Sequence, residues 1–298
     1  MKHRAAARHS RWMQFALFAF CSFAFCLSPV VSAQTNTTRT RIHIADDTPD
    51  PALIAARAAM DHNDYAQAVR SYKEYLAKKP DDAEAHFDLG NAYASLKQAA
   101  DAKAEYEKAI SLDPKLDAAY VNLGITLMET DPAAAVEPLQ KAAALLPNEA
   151  RPQFLLGWAY ERSAKAPLAI EHYRAAEKLD EKNSDIHFAL GRVLLTSNQP
   201  AEAETEFRAA IASDPSNAQA HLGLSQALAA QKKSEEAATE LGKYLEARPN
   251  DSAARASRAL ALAKQGKNEE ALAELDRAAG SNQETLSALK LQIGRAHV

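Results

Sequence analysis

A block of 34 residues returns along most of this chain, and no other feature restricts the fold as strongly. From Leu89-Gly90 the chain reads LGNAYASLKQAADAKAEYEKAISLDP, and from Leu190-Gly191 it reads LGRVLLTSNQPAEAETEFRAAIASDP. Related stretches start at Leu123-Gly124 and Leu156-Gly157. Copies fall at 49–82, 83–116, 117–149, 150–183, 184–217, 218–251 and 252–285: seven in register, the third one residue short. Each holds two apolar patterns of helical period, separated by a polar turn such as SLKQA or TSNQP. Helices this short are unstable in isolation, because nucleation is costly and their apolar faces stay wet. Stacking the copies buries both faces, so the repeat requires an all-α array in which neighbours support each other. The abundant Ala, with only 9 Gly and 7% aromatic residues, agrees with helices over a sheet.

Three rows of residues recur in the copies. Ala68, Ala102, Ala135, Ala169, Ala203, Ala237 and Ala271 share one position on the second helix. Gly90, Gly124, Gly157 and Gly191, continued by Ser225 and Ala259, share one on the first. These two small rows are expected to face each other and let the helices approach closely. Tyr72, Tyr106, Leu139, Tyr173, Phe207, Leu241 and Leu275 are expected to fill the layer beside them. Pro80, Pro114, Pro147, Pro215 and Pro249 end second helices, while Pro132, Pro167 and Pro200 begin them. Pro138 falls inside the second helix of the short third copy, which predicts a kink or a local irregularity.

The second copy carries His86, Leu89, Gly90, Tyr93, Ala102, Tyr106, Ala109 and Pro114 at the spacing of an aromatic, Leu-Gly, Tyr, Ala, an aromatic, Ala and Pro. This pattern resembles the tetratricopeptide repeat over residues 49–285. The resemblance implies an all-α, right-handed α-solenoid (a superhelix) of about seven helix–turn–helix repeats of 34 residues. It further implies a concave groove lined by first helices. The fifth position of each repeat would point into it: Leu53, Phe87, Val121, Phe154, Phe188, Leu222 and Ala256. Two roles are open to this apolar row, a track for an extended peptide or partner helix, or packing between adjacent repeats. Position nine adds Arg57, Asn91, Trp158, Arg192 and Gln226, side chains able to hold a peptide backbone or carboxylate. Some family members clamp the C-terminal carboxylate of chaperones. Asn91, Asn122 and Arg151 match three positions of that clamp, but Phe87 and Leu155 stand where it needs Lys and Arg, so this clamp is rejected. Asn91 and Asn122 are left as candidates for backbone binding. The expected groove residues are therefore Phe87, Asn91, Val121, Asn122, Phe154, Trp158, Phe188, Arg192, Leu222 and Gln226.

Outside the repeats, residues 1–33 have the form of an export signal. Lys2, Arg4, Arg8 and Arg11 precede an apolar run from Trp12 to Leu27, and Val31-Ser32-Ala33 offers small residues for cleavage before Gln34. The alternative is an uncleaved anchor, for which the run is short. Residues 34–48 read as a flexible leader. Residues 286–292 could open an eighth repeat, while Ile293–Val298 fits no repeat and is expected to be a non-native tail, since it back-translates to a sequence like a sequencing adapter. Both cysteines, Cys21 and Cys26, lie in the signal, so the remaining chain has no disulfide, thiolate zinc site or cysteine nucleophile.

No nucleophile elbow, metalloprotease helix, phosphate-binding loop or zinc knuckle occurs. His86, His187 and His221 occupy the repeat position where the family often has Trp, and are expected to pack at repeat seams without converging on a metal. His62 and His172 have no matching partners. The acid clusters Asp81-Asp82, Glu202/Glu204/Glu206 and Glu235-Glu236 read as solvated faces. With a net charge of −4 and its N-terminal bases in the signal, the body is a poor match for nucleic acid or anionic lipid. The expectation is a non-enzymatic exported scaffold, periplasmic or extracellular and of bacterial envelope type. It would have no cofactor or metal, bind a protein or peptide partner, and meet the membrane only through an uncleaved signal. The competing expectation is a docking or regulatory arm of a larger enzyme or export machine truncated at its C-terminus.

Overall fold

The computed structural model describes residues 50–278 together with Ser287 and Leu291. The expected signal, the leader and the 293–298 tail lie outside the described residues, as does most of 286–292. Among the described residues there are fourteen helices and no strand. In chain order they are α1 (Pro51–Asp61), α2 (Tyr65–Lys78), α3 (Ala83–Ser95), α4 (Ala99–Leu112), α5 (Asp117–Thr130), α6 (Val136–Leu145) and α7 (Ala150–Arg162). Then follow α8 (Ala166–Leu179), α9 (Ser184–Thr196), α10 (Pro200–Ser213), α11 (Ala218–Ala230), α12 (Ser234–Ala247), α13 (Ser252–Ala263) and α14 (Asn268–Arg277). They divide into two compact units, one ending at Ala159 and one starting at Tyr160, with the boundary inside α7.

Within each unit the helices pack mainly on their sequence neighbours. In the first unit α1 packs on α2, and so on through α6; in the second, α8 through α14 form the same chain of contacts. First helices also meet across one repeat, α3 with α5 and α9 with α11. Each unit is thus an all-α stack of helical hairpins of the solenoid class.

The turn inside each hairpin explains the period. Asn63, Lys97, Ala164, Asn198, Lys232 and Gly266 all have positive φ, between 56° and 77°. The next residue's N–H reaches back five residues: Asp64 to the Ala59 carbonyl, Gln98 to Tyr93, Lys165 to Tyr160, Gln199 to Leu194, Lys233 to Leu228 and Lys267 to Leu262. This bond and the left-handed residue before it form a Schellman cap that reverses the chain. The short third copy has lost the left-handed residue. There the Asp131 N–H bonds to the Leu127 carbonyl and Pro132–Ala135 forms a turn, delaying α6 to Val136. As a result α6 has 10 residues, against 14 in α2, α4, α8, α10 and α12. Pro138 therefore sits in the first turn of α6, where its missing N–H costs nothing. The irregularity expected there takes the form of a late start, and not of a kink inside the helix.

The first helices α1, α3, α9, α11 and α13 are capped at their N-termini by short polar side chains. Asp82 accepts from the Ala85 N–H, Asn183 from Ile186, Asn217 from Ala220 and Asp251 from Ala254. The second oxygen of Asp82 accepts from the Tyr75 hydroxyl at 2.7 Å, and that of Asp251 from Tyr244 at 2.7 Å. One carboxylate thus caps a helix and ties the preceding repeat to it. The bond to Asp82 helps push the Tyr75 hydroxyl up to about 12.

The repeated Ala row is completely buried, and so is the large row from Tyr72 to Leu275. The glycine row also makes room for the large row. A Cβ on Gly90 would strike the Tyr106 ring, one on Gly124 the Leu139 side chain, and one on Gly191 the Phe207 ring. The atoms nearest to each such Cβ belong to the large row of the second helix. The glycines open a notch for a ring, which a tilt between helices, invisible in linear spacing, decides.

Candidate functional site

The ten residues expected to line a groove separate into different environments. Val121 is 4% exposed and belongs to the core. Its helix turns it inward, so it lines nothing accessible. Leu222 is half-buried against Leu241, Tyr244, Leu245 and Ala254, which places it in packing between the sixth and seventh repeats. Phe154 and Trp158 are half-buried and Gln226 is exposed.

Phe87 and Phe188 have matching surroundings in separate units. Each is half-buried on a first helix, and each leans on the large side chain of its own second helix. Phe87 lies 6.0 Å from the Tyr106 ring at 45°, and Phe188 lies 6.0 Å from Phe207 at 54°. One edge of each ring packs within its own repeat and the other faces solvent.

The polar candidates are already engaged within the chain. The Asn91 side-chain oxygen accepts from the Tyr106 hydroxyl at 2.9 Å and from the Asn122 amide at 2.8 Å. This network bridges α3, α4 and α5 and aligns both amides. Arg192 donates to Glu161 at 2.7 Å while its guanidinium lies 6.0 Å over the Phe188 ring. The same Glu161 oxygen accepts from the Tyr173 hydroxyl at 2.8 Å. Burial, followed by the Glu161 charge, holds that hydroxyl well above its usual range. Arg192 is 47% exposed at its side chain, so it can meet a ligand while Glu161 fixes its direction.

The seam histidines pack as expected but also make a polar contact that linear inspection missed. His86 Nδ1 lies 2.6 Å from Glu105, His187 Nδ1 2.7 Å from Glu206 and His221 Nδ1 2.6 Å from Glu240. In the seventh repeat Arg255 replaces the histidine and reaches Glu274 at 3.0 Å. All four pairs span 19 residues. A base at one repeat position and an acid 19 further on is a signal readable in the sequence once the repeats are aligned. His86 and His187 also present Nε2 to the carbonyls of Pro80 and Glu181, both at 3.0 Å. Each ring therefore joins its own second helix to the end of the preceding repeat.

The acid run in α10 is only in part a solvated face: Glu202 is exposed and Glu204 is not. Glu204 is 5% exposed. It accepts from Lys233 at 2.8 Å, from the Gln231 amide at 2.5 Å and from Arg208 on its own helix. These donors outweigh burial and hold its carboxyl below the usual range. Glu202 pairs with Arg174, and Glu206 with His187. The run has five partners, of which Arg174, Gln231 and Lys233 lie on neighbouring repeats. Such pairing sets register more than it adds stability.

Elsewhere in the first unit, the turn of the short repeat leaves a shallow depression of about 270 Å³ lined by Ala99, Lys103, Thr126, Leu127, Thr130 and Asp131, among others. It is too small and too sparsely polar for a substrate site of ordinary size. Among the described residues no helix is long and apolar enough to cross a membrane.

Comparison with known proteins follows the same lines. A family model described as tetratricopeptide repeat matches residues 55–117, 188–252 and 234–285. A relative, anaphase-promoting complex subunit 3 of Schizosaccharomyces pombe, is 25% identical over 148 residues, covering 49% of this chain and 22% of that protein. The chain thus spans about a fifth of that relative's length. Among solved structures, the C-terminal part of a TPR repeat-containing protein from Cytophaga hutchinsonii is similar with a TM-score of 0.69. It is 18% identical, and the match covers 79% of this chain and 98% of that one. YrrB, described as a TPR protein with an unusual peptide-binding site, gives a TM-score of 0.55 at 23% identity, covering 63% of this chain and 97% of that one. These two likenesses show the fold. The repeat spacing, the capped hairpins and the family match together make this chain a member of the tetratricopeptide repeat family, whose fold is a scaffold for protein–protein interaction.

Proposed function

We propose that this chain is an exported scaffold that holds a peptide or protein partner against its first helices, in assembly, secretion or export at a bacterial envelope. The observation that carries the reading is the environment of Phe188. Its ring is half-buried and stiffened against Phe207, and an exposed, oriented guanidinium lies above it. An aromatic face beside a fixed cation suits an extended segment with an apolar side chain and a carboxylate or backbone carbonyl. Phe87, next to the aligned Asn91 and Asn122 amides, offers the first unit a similar combination. YrrB, of similar fold, is described as having a peptide-binding site, which supports the binding mode. The export half of the proposal rests on the N-terminal 33 residues: four basic side chains, an apolar run and small residues before Gln34.

The binding reading is tested with the full chain carrying Phe188→Ala and Arg192→Ala, compared with the unchanged chain in capture from envelope extract. The expected result is loss of captured species at unchanged helicity. Undiminished capture would remove the assigned surface. For export, N-terminal sequencing of protein recovered outside the cytoplasm should begin near Gln34. A retained Lys2–Arg11 segment would instead show an anchor.

A further inference from the structure

The seam between the fourth and fifth repeats differs from the others by one residue. At the third-last position of the second helix the copies carry Leu76, Ile110, Ala143, Glu177, Ile211 and Leu245. Five are apolar, as packing at a seam demands. Glu177 is the exception, and the hairpin turns give no reason for it. Its neighbour is His187, the seam histidine whose Nδ1 also faces Glu206.

We propose that Glu177, His187 and Glu206 form a site for one divalent transition cation of the zinc class, stapling α8 to the α9–α10 hairpin. One nitrogen and two carboxylate oxygens, one from each residue, lie within 4.8 Å of one another. His187 Nδ1 is 2.7 Å from Glu206 and 3.8 Å from Glu177. Ligands at bond lengths of about 2.0–2.2 Å around a tetrahedral centre sit about 3.3–3.5 Å apart, and the two separations from His187 Nδ1 each lie within about an ångström of that spacing. The second nitrogen of His187 donates to the Glu181 carbonyl at 3.0 Å. That bond directs the Nδ1 lone pair at the cluster, the arrangement that orients metal-binding imidazoles. His187 is buried, while the Glu177 side chain keeps 30% exposure, leaving an entry path and a fourth position for water.

The electrostatics agree with the geometry. Glu177 and Glu206 bring two carboxylates to one imidazole, a like-charge contact that a cation would relieve. Arg174, one turn earlier on α8, is engaged with Glu202 at 2.5 Å. The other two histidine seams carry Leu76 and Ile211 in place of the third ligand, so His86–Glu105 and His221–Glu240 remain two-residue pairs. On binding, the cation displaces the proton on Nδ1, which passes to solvent, so affinity falls as pH is lowered.

The test is titration of the full chain with Zn²⁺ by calorimetry, and with Co²⁺ followed by its visible absorption, for the unchanged protein, Glu177→Leu and His187→Asn. Leu is the residue of the first and sixth repeats at this position, so Glu177→Leu removes a ligand while keeping a side chain that the seam accepts. The expected result is one high-affinity equivalent with a tetrahedral Co²⁺ spectrum, weakened at least about tenfold in both variants. Absence of saturable binding to the unchanged chain overturns the site, and so does equal affinity in Glu177→Leu. If His187→Asn fails to fold, Glu177→Leu alone decides.

Discussion

Gly90 lies directly under the ring of Tyr106: a Cβ on the glycine would be 2.6 Å from Cε1. The same relation links Gly124 to Leu139 and Gly191 to Phe207. In these three repeats a notch, cut by the absence of a methyl group, seats the large side chain of the next helix.

Gly90→Ala should therefore destabilise the chain by about 1–3 kcal/mol through overpacking, despite the better helix propensity of Ala. Gly242 provides the contrast, because a Cβ there meets the movable end of Arg258 at 3.4 Å. Gly242→Ala should be neutral or stabilising by up to about 1 kcal/mol. Urea unfolding midpoints compare the two, and equal shifts would refute the notch.

Ala164 holds the left-handed position of its hairpin turn at φ 56°. A side chain there costs roughly 1–2 kcal/mol, partly offset by the lower chain entropy of Ala when unfolded. Ala164→Gly should raise the thermal midpoint, a net gain of about 0.5–1 kcal/mol. Gly266 already has glycine at the equivalent place. A lower midpoint would show that the turn is not strained.

Asp185 is 8% exposed, and burial followed by repulsion from Asp214 pushes its carboxyl up to about 6. The folded chain then retains a proton that the unfolded chain releases near about 4. Stability accordingly falls as pH rises from about 4 to 6, and the whole cost is present above that window. Asp185→Asn should stabilise the protein at pH 7 by about 1 kcal/mol and have little effect near pH 4. A gain independent of pH would mean that charge is not the cause.

His187 works in the opposite sense. Its hydrogen bond to Glu206 raises the imidazole above its ordinary value, against the pull of burial. The stability from this pair is complete below the unfolded value near about 6.5, and is lost as pH rises through the higher folded value. Glu206→Gln, measured with a chelator present, should cost more at about pH 5.5 than at about pH 8.5. Identical losses at both would remove the charged pair from the account.

Much of this molecule was legible in the linear chain. The period of 34 residues, the two helices per copy and the buried Ala and large rows from Ala68 to Leu275 follow from local pattern. Each helix in such a stack meets mainly its sequence neighbours, so local spacing carries most of the fold. The candidate surface was legible in part: Phe87, Phe188 and Arg192 reach solvent, whereas Val121 does not.

What tertiary structure alone decided depends on how far each helix rotates about its axis. Periodicity says that Gly90 and Tyr106 are on facing helices, but rotation decides that the ring lies over the glycine. Rotation likewise buries Val121 and gives Glu204 to Lys233 and Gln231. It brings Glu177, ten residues before His187 and on another repeat, to the same imidazole as Glu206. Side chains meet across a seam through the angle between helices, and a linear pattern of apolar positions records that angle only coarsely.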